Sequence, residues 1–503
     1  MHGHHTIDGE RSALGTNTFA ALEARTGAEL SGRFFEATPD EVAAAAAAAQ
    51  RAARALRRTP WPDLARFLRD VADELDARGE AIVARADLES GLGTPRLTGE
   101  LKRTTDQLRL FADEGDGGGW LGVRVDASRG ADLRRVALPI GPVAVFGASN
   151  FPLAFSVAGG DTAAAWAAGC PVIVKAHPAH PGTSELVADA IVAVLERSPL
   201  PAATFQMLHG ADHAVGGALV QAPEVRAVAF TGSFAGGTAL DRLARERPSP
   251  IPVFAEMGSS NPIVVLPGAL AARGDQVAAQ VAGSITLGAG QFCTKPGVVI
   301  GLAGAAFDAF VAEVARTLEG VAPATMLTDG IRTAYRAGVA DLAATPAVDV
   351  VWRGDGDERP VGPSLLRTTA AAVIERPSLL DEVFGPAALV VVCADAAEAR
   401  ALAEALPGSL TATLHLEDAD LDLAAELTEV LVEHVGRLIV NGVPTGVIVS
   451  PAQHHGGPYP ATLDARATSV GTAAVERFLR PVAFQDVPEA LLPEALRGVD
   501  SDR

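Results

Sequence analysis

The chain has 503 residues, a formal net charge of −20, and a composition that is 48% hydrophobic and 20% charged. That length exceeds what one hydrophobic core ordinarily serves, so roughly two or three domains are expected, each able to enclose a dry interior. A net-negative surface repels phosphate backbones and anionic headgroups, which speaks against nucleic acid or a membrane as partner.

The N-terminal MHGHHTIDGE has no apolar core of signal-peptide length, and His2, His4 and His5 read as a frayed terminus rather than as metal ligands. Thr38-Pro39-Asp40-Glu41 ahead of an Ala-rich run to Arg58 predicts a capped surface helix, with a hydroxyl at N-cap, Pro at N1 and acids in the first turn. Helices are also expected over Trp61 to Ala86 and from about Thr98 to Ala112. Gly-rich turns and short alternating segments between Gly117 and Arg135 predict a protruding β-hairpin.

From Pro142 onward short apolar runs alternate with helix-length stretches. Strands are expected at Val143–Gly147, Val172–Lys175, Thr204–Leu208, Ala227–Phe230 and Val253–Ala255. Helices are expected at Leu153–Ala168, Gly182–Glu196, His213–Gln221 and Ala235–Ala244. This succession is that of an α/β, doubly wound parallel sheet, whose ligands sit at the carboxyl ends of the strands. A second α/β region covers roughly Met257 to Gly442, with apolar runs at Ile263–Leu266, Val298–Gly301 and Leu389–Val392. A Pro-punctuated, helix-poor tail from about Ala461 to Arg503 is expected to pack on a neighbouring subunit as well as on its own. No apolar run approaches a bilayer span. The three cysteines, Cys170, Cys293 and Cys393, fit a reducing compartment, so the expected location is the cytoplasm.

Several strand-to-helix loops carry candidate chemistry. Asn150, in Phe146-Gly147-Ala148-Ser149-Asn150-Phe151-Pro152, offers an amide donor to a developing oxyanion. Lys175 ends a buried strand and suits a ribose hydroxyl or a phosphate. Gly232 and Ser233, followed by Gly236 and Gly237, open a helix whose N–H groups suit a pyrophosphate, although the spacing is not GxGxxG. Glu256 leaves an apolar strand, and desolvation is expected to raise its pKa towards that of a general base. In Gly288-Ala289-Gly290-Gln291-Phe292-Cys293 the glycines allow close backbone approach, so the Cys293 N–H can share an oxyanion with Asn150. Glu382 suits a ribose diol and Phe384 a nicotinamide ring. Taken singly, each has an ordinary alternative: a turn Asn, a solvated strand-end Lys, a salt-bridged Glu, an inert Cys. Cys170 and Cys393, flanked by apolar residues, fit the inert reading.

Together and in this order, Asn150, Lys175, Gly232-Ser233, Glu256, Cys293 and Glu382 with Phe384 resemble the aldehyde dehydrogenase superfamily over nearly the whole chain. The resemblance implies a Rossmann-like parallel-sheet cofactor domain (1–119 and 142–255) and a second α/β catalytic domain (256–442). It also implies an oligomerisation hairpin and tail (120–141 and 461–503) in a homodimer or homotetramer. It makes Cys293 the nucleophile, Asn150 the oxyanion donor, Glu256 the base for deacylation, and Lys175, Gly232, Ser233, Glu382 and Phe384 cofactor contacts, with no metal in the reaction.

FGASNFPLAFSVAGGDTAAAWAAGCPVIVKAHPAHPGT and GGPYPATLDARATSVGTAAVERFLRPVAFQ are similar in wording to the subgroup acting on α-ketoglutaric semialdehyde (2,5-dioxopentanoate). An NADP⁺-preferring fatty-aldehyde dehydrogenase shares much of the wording and supplies the alternative substrate class. A catalytically silent scaffold is the remoter one, against which both Cys293 and Glu256 speak. Two departures from the superfamily matter. Ser149 stands where Trp is usual before the Asn, as it does in the subgroup. Pro178 replaces the carboxylate that takes the adenosine 2′-hydroxyl. Without that charge the expected cofactor is NADP, with NAD possible, and Lys175, His177 or His213 as counter-charges. A 2-oxo-carboxylate wants a cation, and Arg103, Gln107 and Arg109 of ELKRTTDQLRL lie partly on one helix face. Surface arginines are the competing reading there. Phe155 and Phe292 are candidates for the tunnel wall or for plain core packing.

Overall fold

The computed structural model describes residues 1–115, 118–128, 130–354 and 359–499. Gly117 and Arg129 of the expected hairpin, and the end of the expected tail from residue 500, lie outside them.

Two seven-stranded sheets carry the described chain. The first runs in the order Val253–Glu256, Ala227–Thr231, Val143–Phe146, Val172–Lys175, Phe205–Leu208, His5–Ile7, Glu10–Ser12. Its first five strands are parallel, and Val143–Phe146 and Val172–Lys175 are buried throughout, as helices on both faces require. Trp166 fills one face between Phe67 and Phe205 at ring separations of 5.0 and 6.1 Å. The chain order reverses at Val143–Phe146, whose sequence neighbour Val172–Lys175 lies on one side and the later Ala227–Thr231 on the other. The loop after Phe146 therefore occupies a topological switch point, where open α/β sheets hold ligands.

The second sheet runs Asp349–Arg353, Ser364–Thr369, Ala387–Cys393, Val298–Leu302, Ile263–Val265, Ser409–His415, Val435–Val440. Only the first of these strands is antiparallel. A smaller antiparallel sheet joins Arg124–Asp126 and Leu133–Pro139 to Leu479–Gln485 of the tail. The tail also crosses to the first sheet, where Met257 N–H donates to the Ala461 carbonyl at 2.8 Å.

The expected capped helix spans Pro39–Leu56. Thr38 Oγ1 accepts from Glu41 N–H at 3.2 Å, and Thr38 N–H donates to the Glu41 carboxylate at 2.9 Å.

Three expectations need correction. The amino terminus is not frayed: His5–Ile7 extends the first sheet beside Phe205–Leu208, His5 is fully buried, and the His2 and Gly3 amides are bound by the Glu185 carboxylate. A sheet edge that needs a partner and a buried carboxylate that needs donors together hold it. The helical stretch from Trp61 divides at Arg78, whose φ of −97° and ψ of 7° are not helical, into Trp61–Ala77 and Gly79–Ser90, with Gly79, a poor helix former, opening the second. The helix expected from Leu153 begins only at Gly160 and ends at Ala167. The amides of Leu153 and Ala154 donate to Glu100 Oε1 at 2.9 and 3.0 Å, while the carbonyls a helix would give to residues four further on are taken elsewhere, Ala154's by Gly160 N–H at 3.0 Å and Phe155's by Ala148 N–H at 2.8 Å.

Candidate active site

Asn150 lies at the switch point on a loop tied from three directions. Its Nδ2 donates to the Gln291 carbonyl at 3.0 Å, Arg96 Nη2 donates to its own carbonyl at 2.8 Å, and Glu100 grips the two amides just beyond. The Arg96 guanidinium lies 5.0 Å from the Phe151 ring and 4.6 Å from the Phe292 ring, joining the Asn150 loop to the residue before Cys293. An amide has two N–H donors, so one of Asn150's remains for an oxyanion.

The cysteine loop is strained by design of its sequence. Gly288, Ala289 and Gly290 all have left-handed φ, at +57°, +58° and +65°, and a Cβ on Gly290 would sit 2.4 Å from the Gly385 carbonyl group. That contact brings the Glu382–Phe384 turn against the loop. Beyond it, Asn261 Nδ2 donates to the carbonyls of Cys293 and Lys295 at 2.8 and 3.1 Å and fixes the turn.

Glu256 and Cys293 meet across a residue that the sequence reading did not single out. His455 Nε2 is 3.0 Å from Glu256 Oε1 and 3.5 Å from Cys293 Sγ, and Ser469 Oγ donates to Glu256 Oε2. Among the described residues, His455 Nδ1 is buried without a hydrogen-bond partner. The expected upward pKa shift of Glu256 is corrected. Burial does push it up, but charge and hydrogen bonding from His455, with Ser469 and Cys293 adding hydrogen bonds, hold the carboxyl below its usual value. The Cys293 thiol moves the other way, well above its usual value, through burial first and then the Glu256 carboxylate, with Arg103 opposing. These surroundings favour the protonated thiol, and its ionisation depends on handing the proton on or on a nearby cation. Cys170 and Cys393 are buried and pushed up to about 11 and about 12, chiefly by desolvation, in keeping with the inert reading.

The cofactor candidates line the carboxyl edge of the first sheet. Ser233 caps the helix Phe234–Arg245, accepting from Gly236 N–H at 3.1 Å, and residues 232–235 are exposed. Lys175 is buried, donates to the Gly210 carbonyl at 2.7 Å, and is drawn down to about 8 by desolvation, with Asp212 and Glu36 opposing. Pro178 and His177 are half-buried and His213 is exposed. Glu382 reaches over Gly258, where a Cβ would lie 2.3 Å from its Oε2. Burial raises its carboxyl to about 7, against the pull of Lys295. Lys295 is itself buried, donates to the Val383 and Ala387 carbonyls at 3.1 and 2.9 Å, and is lowered to about 8 by desolvation. Phe384 is half-buried. An exposed helix N-terminus, a strand-end lysine and a carboxyl placed over a glycine fit the pyrophosphate and ribose groups of a dinucleotide.

On the other side, Arg103 packs over the Phe155 ring at 4.9 Å, and among the described residues no carboxylate lies within 4.0 Å of its guanidinium. It lines an open pocket of about 440 Å³ with Gln107, Val447 and Val449. Gln107 Nε2 is buried and unpartnered among the described residues. Phe155, Phe151 and Phe292 stand edge to face at successive separations of 5.3 Å. Arg109 is not part of this site, since it is paired with Asp73 and Asp76 at 2.7 Å each, the ordinary surface role.

Besides His455, the sequence reading missed Ser469, Arg96, Glu100 and Arg437. Arg437 faces Cys293 closely enough to interact with its charge and donates to the Pro444 and Gly446 carbonyls. The doubled histidine in GlnHisHisGlyGly was the one visible signal; nothing in periodicity marks the others.

A model of the aldehyde dehydrogenase family matches residues 15–477. An alpha-ketoglutaric semialdehyde dehydrogenase 2 of Azospirillum brasilense is 48% identical over 505 residues, covering 98% of this chain and 96% of that protein. An alpha-ketoglutaric semialdehyde dehydrogenase of Acinetobacter baylyi is 43% identical, with the same coverage of both. In fold the chain is similar to PnpE crystallised with nicotinamide adenine dinucleotide, at a TM-score of 0.84 and 21% identity over 96% of this chain and 97% of that one. It is similar also to lactaldehyde dehydrogenase from Escherichia coli, at 0.85 and 20% over 96% and 99%. Among the described residues, no helix is long and apolar enough to cross a membrane.

Proposed function

The chain belongs to the aldehyde dehydrogenase family, and from that premise we propose that it oxidises 2,5-dioxopentanoate to 2-oxoglutarate, with NADP⁺ preferred and NAD⁺ accepted. The observation that carries the reading is the meeting of Cys293, His455 and Glu256 within 3.5 Å contacts, beside Arg103, which has no carboxylate within 4.0 Å among the described residues.

The Cys293 thiol passes its proton to His455 Nε2, and the sulfur adds to the aldehyde carbon. The free N–H of Asn150 and the Cys293 backbone N–H then donate to the new alkoxide, in surroundings where a fixed dipole counts for more than in water. When bound, the oxidised dinucleotide supplies the two-electron acceptor for the aldehyde hydrogen. Lys175, Ser233 and Glu382 would hold it, with Phe384 packing beside it. A thioester on Cys293 follows. Glu256, kept ionised by His455 and Ser469, takes a proton from water as the oxygen attacks the thioester carbon, and the thiol re-forms as the acid leaves.

At the substrate's far end Arg103 offers two parallel N–H donors to the 2-oxo-carboxylate, and Gln107 offers its unpartnered amide. Arg437 adds positive charge without being free to move. Pro178 in place of a carboxylate supports NADP⁺, while Glu36 and Asp212 near Lys175 set a limit on that preference.

The domain limits 1–119 with 142–255, and 256–442, belong to the same reading and are supported by the membership of the two large sheets. The limits 120–141 and 461–503 are supported by the small sheet that joins hairpin to tail, which we assign to assembly of a homodimer or homotetramer. A reducing cytoplasm suits three free thiols. Reduced-cofactor formation on 2,5-dioxopentanoate against long-chain alkanals tests the assignment. A clear excess of kcat/KM for the dioxo acid is expected, and equal or better use of alkanals contradicts it.

A further inference from the structure

The meeting of thiol, imidazole and carboxylate has a chemistry apart from aldehyde oxidation. Donor atoms of Glu256, Cys293 and His455 all lie within 4.8 Å of one another. Tetrahedral zinc with ordinary bond lengths separates sulfur from nitrogen by about 3.6 Å and nitrogen from carboxylate oxygen by about 3.4 Å. The observed separations are 3.5 Å for Cys293 Sγ to His455 Nε2 and 3.0 Å for His455 Nε2 to Glu256 Oε1. The first already fits, the second requires a shift of a few tenths of an ångström by one carboxylate, and the third, sulfur to carboxylate oxygen, lies within 4.8 Å against about 3.6 Å in tetrahedral zinc.

The surroundings of His455 Nε2 point the same way. If Nε2 carries the proton, one hydrogen serves two acceptors and the buried Nδ1 lone pair has no donor. If Nδ1 carries it, that buried N–H has no acceptor, and the Nε2 lone pair faces a carboxylate. Nδ1 is unpaired in both tautomers among the described residues, and a cation on Nε2 leaves it so; what the cation changes is the Nε2 side. A cation on the Nε2 lone pair removes the repulsion between that lone pair and the Glu256 carboxylate. Coordination also displaces the thiol proton to solvent, leaving one sulfur anion, one carboxylate and a neutral imidazole around a dication, a site with no net charge. Cys293 is only partly buried, so an ion has a path in.

We propose that Cys293, His455 and Glu256 form a site for a soft divalent cation, zinc in the first instance, whose occupation reversibly blocks addition of the thiol to aldehyde. The fourth position stays open to water. Binding stands on the geometry alone, while the blocking rests on Cys293 being the nucleophile proposed above.

Cobalt(II) titrated into the full-length protein tests the binding without recourse to turnover. One ion per chain is expected, with a thiolate-to-cobalt charge-transfer band, tetrahedral d–d intensity and displacement by zinc. Cys293→Ala is expected to lose the charge-transfer band, and His455→Gln and Glu256→Gln to weaken binding at least about tenfold. Cofactor-binding titrations of each variant establish that it is folded. A second His-carboxylate group, His2 with Glu185 and Asp189, supplies the control. Cobalt that binds without the band, or binds as tightly in Cys293→Ala and His455→Gln but not in His2→Ala, overturns the proposal. Normal dioxo-acid turnover without cobalt binding sinks this site alone. Cobalt binding in a protein that oxidises no aldehyde sinks the functional reading alone.

Discussion

Arg96 donates to the backbone carbonyl of Asn150 at 2.8 Å while its guanidinium packs 5.0 and 4.6 Å from the rings of Phe151 and Phe292, which themselves meet edge to face at 5.3 Å. One side chain thus sets the spacing between the amide loop and the thiol loop. Arg96→Met removes the donor and leaves a buried carbonyl unpaired, a loss of about 1–3 kcal/mol. Steady-state kinetics are expected to show kcat lower by about tenfold or more, with the KM for cofactor little changed.

Arg103 tests the substrate assignment. Charge-assisted hydrogen bonds of this kind are worth about 1.5–3 kcal/mol, so Arg103→Met is expected to raise the KM for 2,5-dioxopentanoate by about 10- to 150-fold. Kinetics on an uncharged short aldehyde serve as the check and are expected to change much less.

The Glu382 carboxyl titrates near neutrality. It is raised to about 7 by burial and is neutral below that in the folded chain, whereas in the unfolded chain it ionises from about 4.5. Between those values the folded state binds more protons than the unfolded one, so this group's contribution to stability falls as pH rises from about 4.5 to 7 and is level above. Accepting a ribose diol needs the ionised form. Fluorescence titration is therefore expected to show cofactor affinity rising through pH 7, and Glu382→Gln is expected to flatten the profile.

Glu36 is a carboxylate close enough to Lys175 to raise its pKa against the desolvation that lowers it. Its hydrogen bond to Ala211 N–H, at 3.3 Å, ties it to the same edge of the sheet. Glu36→Gln is expected to move the ratio of kcat/KM for NADP⁺ over NAD⁺ upward by about two- to fivefold, the size of a partly screened charge. Measuring both cofactors in parallel checks it.

The alternating apolar runs announced the first sheet well: Val172–Lys175 is a strand over the expected residues, and the neighbouring strands differ from expectation by one residue at an end. Apolar periodicity is a property of local sequence, and a sheet buried on both faces writes it plainly. The stretch Leu153–Gly159 has that periodicity too, but its Ala154 and Phe155 carbonyls are taken by the Gly160 and Ala148 amides, bonds that apolar periodicity does not announce. His5 failed for a similar reason. Its burial depends on an open sheet edge at Phe205–Leu208, which no N-terminal residue reveals. Residues 150, 256 and 293 were legible because glycines, strand ends and loops flag them. His455 and Arg96 were not, since a histidine between two functional groups and an arginine packed on a pair of touching rings are defined only by what the fold brings to them. The direction of the Glu256 shift was misjudged on the same ground, for burial is foreseeable from an apolar strand and a partner histidine is not.

Rapid mixing with 2,5-dioxopentanoate and NADP⁺ tests the division of labour between Cys293 and Glu256 most directly. Glu256→Gln is expected to release a burst of about one reduced cofactor per chain and then to slow by about a hundredfold, as loss of a general base at the thioester step requires. Cys293→Ala is expected to release none. Loss of the burst in a folded Glu256→Gln variant, or turnover surviving in Cys293→Ala, contradicts the account.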